Sequence, residues 1–134
     1  MSMLGCPCGN VIRDNTDYLP FKGHAFTDIE FFPLFEAISK DVAGFIQARL
    51  DGREEKWYTD YFKSDSAFTE DDEGLVHTIL ARYLIHASIQ LYQCTNCGRM
   101  LVERVDKPNE YDVFTPDEKP HRNVFATVKL KKAK

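Results

Sequence analysis

Four cysteines fall into two short motifs: Cys6-Pro-Cys8-Gly9 near the start and Cys94-Thr-Asn-Cys97-Gly98 near the end. Two thiolates on one tight turn can point at a single ion, and two such turns supply the four ligands of a tetrahedral zinc site. A glycine follows the second cysteine of each pair, where the chain commonly turns through positive φ. No cysteine is left over. The expected site is therefore Cys6, Cys8, Cys94 and Cys97 around one structural Zn2+.

The first pair has a one-residue spacer where two is usual, so a histidine could replace one of its thiolates, with His24 the nearest candidate. Other readings use the same residues. Four thiolates also suit an iron–sulfur cluster. Cys94 and Cys97 could form a redox pair, although the βαβ context of such pairs is missing. Buried free thiols pack as small hydrophobes. A catalytic zinc fits least, because four cysteines leave no open position for water. The nearest members of the two pairs, Cys8 and Cys94, are 86 residues apart. One ion would clamp the N-terminal turn onto a late hairpin, acting as a staple rather than a reagent.

Little else in the sequence converges on chemistry. His77 and His86, nine apart, fall on opposite sides of a helix, and no phosphate loop, His-Glu-x-x-His or nucleophile elbow occurs. The expectation is a protein without catalytic residues. Glu70, Asp71, Asp72 and Glu73 open a predicted helix; they complement its dipole or offer a negative patch to a basic partner. Trp57, Tyr58, Tyr61 and Phe62 share a helical face, which is either core or an interface with Trp57 and Tyr58 as anchors. The tail lysines Lys129, Lys131, Lys132 and Lys134 read as a frayed, solvated end.

These residues need elements to place them. Phe31, Leu34, Phe35, Ile38, Val42, Phe45 and Ile46 recur at helical steps, and Pro33 is tolerated in a first turn, which predicts a helix from about Phe32. Gly52 breaks it, and "REEKWYTDYF" forms a second helical piece. A third runs from Val76 to about His86, with Thr69 and Asp72 as a variant capping box. "SIQLYQCTNCGRMLVERV" reads as strand, cysteine turn, strand; Val11-Ile12, "YDVFTP" and "NVFATVKL" are further strand candidates. "LPFKGH" reads as turn or loop. The sum is an α+β fold, with central helices and a small antiparallel sheet built from the two ends.

The chain has 134 residues, 43% hydrophobic and 28% charged, with a net charge of −4. That length predicts a single domain, residues 1–134. The charge gives no overall attraction to nucleic acid or to an anionic membrane. No apolar run reaches the roughly 18 residues that span a bilayer. The N-terminus lacks the basic-then-apolar order of a secretory signal, so the expected location is the cytoplasm, where thiols stay reduced.

At "CPCGNVIRDNTDYLPFKG" and "LYQCTNCGRMLVE" the chain resembles small bacterial zinc-ribbon proteins, some of which are similar to the immunity proteins that accompany toxins. The resemblance covers the cysteine-bearing ends. It implies a non-catalytic cytoplasmic protein that occupies the active site or substrate surface of a protein partner, a cognate toxin. The alternative from another class is a zinc ribbon associated with nucleic acid, which needs Lys63, Arg82, Arg99, Arg104 and the tail lysines to lie together.

Overall fold

The computed structural model describes residues 2–63 and 71–126. The fold is α+β, as the sequence pattern predicts, and the chain divides into two compact units. Residues 1–25 and 89–134 form one; Phe26–Ser88 form the other.

Among the described residues, the regular elements of the first unit are all strands. Strands β1 (Ser2–Gly5) and β2 (Val11–Asp14) make an antiparallel hairpin in which Gly5 faces Val11 and Leu4 faces Ile12. Strands β3 (Lys22–Ala25), β4 (Ile89–Gln93), β5 (Met100–Glu103) and β6 (Tyr111–Phe114) form a second antiparallel sheet in that spatial order. Leu4, Ile12, Tyr92, Leu101, Cys6 and Cys94 are its buried core, with Phe21 and Tyr111 packed against them. Tyr92 is fully buried, and its hydroxyl has a use: it donates to Asp14, which also accepts from Lys22 at 2.5 Å. A carboxylate satisfied from two sides can sit at the edge of an apolar core without the cost of an unpaired charge.

The second unit is helical and lies between residues that pair in the first, because Ala25 is the register partner of Ile89. Its helices are α1 (Asp28–Leu50), α2 (Glu54–Phe62) and α3 (Asp72–Ala87). Phe45, Leu75 and Ile79 are the buried centre, ringed by Val42, Trp57, Tyr58, Tyr61, Phe62 and Tyr83. Trp57 stacks on Tyr61 with ring centroids 4.7 Å apart and tilts against Phe45 at 5.4 Å. Asp41 accepts hydrogen bonds from the hydroxyls of Tyr61 and Tyr83, each at 2.5 Å, which ties all three helices together.

Several local expectations change. Helix α1 begins at Asp28 rather than near Phe32, with the Thr27 carbonyl accepting from the Glu30 and Phe31 amides. Pro33 therefore lies in the second turn and removes the N–H that would bond Ile29. Asp71 caps α3, its carboxylate accepting from the Gly74 amide at 2.7 Å; the expected capping box rests on Thr69. Thr69 and Glu70 lie outside the described residues, as do the tail lysines. The "FKGH" stretch is strand β3 rather than loop, and β1 is a strand that the pattern missed. Residues 123–126 turn instead of extending, because the Asn123 side chain accepts from the Phe125 amide at 2.9 Å; residues 127–130 of that expected strand lie outside the description.

Candidate metal centre

Each cysteine pair sits on the turn of a β-hairpin, and the two turns repeat one hydrogen-bond scheme. In the first, the Cys6 amide donates to the Asn10 carbonyl and the Gly9 amide to the Cys6 carbonyl, both at 2.9 Å. In the second, the Cys94 amide donates to the Arg99 carbonyl and the Gly98 amide to the Cys94 carbonyl, again at 2.9 Å. Gly9 (φ 95°) and Gly98 (φ 78°) both take the left-handed conformation that the turn demands. The shorter spacer of the first pair costs one residue in each bonded loop and leaves the direction of the thiols intact.

The four Sγ atoms lie within 4.8 Å of one another, the set that the sequence pattern predicts. The closest pairs join one turn to the other: Cys6 to Cys97 at 3.5 Å and Cys8 to Cys94 at 3.7 Å. These are not disulfides, whose sulfurs are about 2.05 Å apart. A tetrahedron with metal–sulfur bonds of about 2.3 Å has edges of about 3.8 Å, so the spacing fits a thiolate-bound metal ion. Cys6 and Cys94 are buried, while Cys8 and Cys97 lie nearer the surface. His24, on β3, is exposed and outside the set, so all four donors are sulfur.

Donors around the sulfurs complete the arrangement, and two of the three cross between the turns. The Asn10 amide donates to Cys94 Sγ at 3.4 Å, and the Asn96 amide returns the favour to Cys8 Sγ at 3.5 Å. Arg99 reaches Cys97 Sγ at 3.5 Å, and that bond holds its guanidinium more firmly protonated than usual. The Asn96 side chain and the Asn10 backbone amide bring the Cys8 thiol down to about 6. Burial pushes the Cys6 thiol up to about 12. Burial also opposes charge on Cys94, but the Cys97 amide, the Asn10 side chain and the Asn96 amide outweigh it and hold that thiol below its ordinary value. A divalent cation would favour the thiolate at every position, and the N–H donors would orient and partly neutralise the sulfurs. Asn10 and Asn96 were not foreseen as donors, and Arg99 only as a contact for nucleic acid. Their signal was adjacency: each stands within two residues of a cysteine.

Residues 2–118 match the family described as Domain of unknown function (DUF8617). The chain belongs to that family. No curated protein and no solved structure matches it. In this DUF8617 chain both cysteine turns fall within the matched span.

The other predicted site residues of the DUF8617 chain are placed differently. Trp57 and Tyr58 are half-buried against the core of the helical unit. Asp71 serves as a helix cap and Asp72 pairs with Arg49; Glu73 is exposed in the first turn of α3. Three cations of the nucleic-acid alternative are engaged: Arg82 lies 4.6 Å over the Tyr61 ring, Arg99 serves the sulfurs, and Arg104 pairs with Asp106 and Glu110. Among the described residues, no helix is long and apolar enough to cross a membrane.

Proposed function

We propose that the chain is a non-catalytic, zinc-stapled protein-binding module of the cytoplasm, an immunity-type inhibitor that covers the active site or substrate surface of a cognate toxin. The four-sulfur set carries the first half of this reading. A tetrahedral ion held by four cysteines has no position left for water or substrate, so Zn2+ would hold a zinc-ribbon-like pair of turns together. The distribution of charge supports the second half. The helical unit has thirteen acidic residues against six basic ones, a net of −7 in 63 residues, which would steer a basic partner.

Metal content tests the staple. One zinc per chain is expected, lost in both Cys8→Ser and Cys97→Ser. Retention of the metal by Cys8→Ser would remove the first pair from the site, and bound iron would overturn the choice of metal. Co-expression with the product of the neighbouring gene tests the inhibitor: a copurifying complex and a neutralised toxin are expected, and the absence of both sinks the idea.

The β unit supports a second reading, a zinc ribbon associated with nucleic acid, since it has eleven basic residues against eight acidic ones. Salt-dependent binding to DNA or RNA, without a protein complex, would favour it.

A further inference from the structure

The functional reading needs a surface for a partner, and the aromatic residues first suited to it, Trp57 and Tyr58, are packed against the helical core. A different aromatic set is open. Along the first turns of α1, Ile29 is 87% exposed, Phe32 65%, Phe35 55% and Phe31 41%. The three rings touch one another, with centroids 5.5 Å (Phe31–Phe32), 5.1 Å (Phe31–Phe35) and 6.4 Å (Phe32–Phe35) apart. They make one continuous apolar patch of roughly 400–500 Å², at the upper end of what a monomer leaves exposed and of a size often used for binding. Contacts that hold α1 to α2 and α3 lie further along it, from Asp41, which accepts from Tyr61 and Tyr83, through Phe45 to Arg49, which pairs with Asp72. Its most aromatic and most exposed turns thus lie N-terminal to these contacts.

Charge decides what fits there. Between Asp28 and Ser39 the sequence has three acidic residues, Asp28, Glu30 and Glu36, and no lysine or arginine. Asp28, Phe32 and Glu36 stand at i, i+4 and i+8, so a carboxylate lies on either side of the most exposed ring along one row of the helix. We propose that the N-terminal half of α1 is a docking surface for a basic, amphipathic segment of a protein partner. Such a segment would seat its apolar side chains on Ile29, Phe31, Phe32 and Phe35 and set its lysines or arginines against Asp28, Glu30 and Glu36. A second copy of the chain suits the patch less well. Its carboxylates would face their own kind, and the area falls short of the roughly 800 Å² per partner of a standard stable interface. An anionic lipid surface would meet the same repulsion.

This inference shares with the functional reading only the presence of a protein partner, so it is tested without a toxin. The probe is a labelled synthetic peptide of about fifteen residues, leucine and lysine at helical spacing, beside a twin with glutamate for lysine. Fluorescence anisotropy with the full zinc-loaded chain is expected to show the lysine peptide at least about tenfold tighter. Phe32→Ser with Phe35→Ser should weaken it at least about fivefold while leaving the circular dichroism unchanged. Asp28→Lys with Glu36→Lys should abolish or reverse the preference. Equal binding of the two peptides, or binding that ignores the phenylalanine substitutions, overturns the proposal. So does a dimer in sedimentation that those substitutions dissolve, which would make a second copy the occupant. Adsorption to phosphatidylglycerol vesicles through the same residues overturns it in favour of a lipid surface. A several-fold gain in peptide affinity on deleting residues 127–134 overturns it in favour of the chain's own basic tail. Failure of a toxin to copurify bears on none of these outcomes.

Discussion

Asp41 carries two phenols on one carboxylate, and the two phenols respond to it differently. Tyr61 is held above the ordinary phenol range first by burial and then by its bond to Asp41. Tyr83 is raised first by that bond and only then by burial. Replacing Asp41 with asparagine should therefore return Tyr83 toward its usual titration near pH 10 and leave Tyr61 nearer its raised position. Phenolate absorbance in the full chain and in single Tyr→Phe variants would resolve the two. The effect on stability has a fixed direction. A phenol whose folded pKa exceeds its unfolded value stabilises the fold fully below about pH 10, and that contribution disappears as the pH rises through the folded value. The wild-type chain should thus lead Asp41→Asn by about 1–3 kcal/mol at neutral pH, with the lead shrinking in alkali. A constant difference across that range would mean that Asp41 acts by packing alone.

At the level of elements, the cysteine turns show how local demands fix a site. Gly98 has φ 78°, and a Cβ built on it would run into the ring of His121. Gly98→Ala is therefore strained twice, by backbone and by collision, and should cost about 1–3 kcal/mol and weaken the hold on any metal at the four sulfurs. Adding His121→Ala should recover the collision but not the backbone strain, so the double variant should fall between Gly98→Ala and wild type in a thermal melt. Equal melting of the single and double variants would show that the ring simply moves aside. The same elements explain what could be read in the sequence. The four-cysteine set was legible because ligand type, tight spacing and a following glycine are all local. The central helices were legible from the recurrence of Phe45, Trp57, Val76 and similar residues at helical steps. Strands β1 and β3 were not, since each has four residues and neither alternates. Gly23 in β3 looks like a loop residue by composition, yet it sits in a strand, at a place where a side chain would meet the Phe125 ring. That ring lies a hundred residues away, and no local pattern announces it.

For the whole molecule, the question is how far the clamp reaches. Cys8 and Cys94 bracket every helix, which suggests a metal that closes one large loop over the entire fold. The register of the sheet says otherwise. Lys22 already faces Tyr92 and Ala25 faces Ile89, so β3 and β4 close the helical excursion without the metal. A metal held by the four sulfurs would then close only the stretch from Cys8 to Lys22 and from Tyr92 to Cys94. In entropic terms that saves roughly 1.5 kcal/mol less than closing the full loop would. Its larger effect is local: Cys6 and Cys94 are part of the buried core of the β unit, and without an ion the sulfurs at its centre lose their common partner. The core of the helical unit contains none of them. Removing the metal with a strong chelator should thus expose the amides of β1, β2, β4 and β5 to hydrogen exchange, while the helical circular dichroism persists. The only tryptophan, Trp57, sits in the helical core, so its emission should also stay unchanged as the β unit opens. Loss of the helical signal at the same chelator concentration would instead show one cooperative domain over residues 1–134, with the ion holding both units.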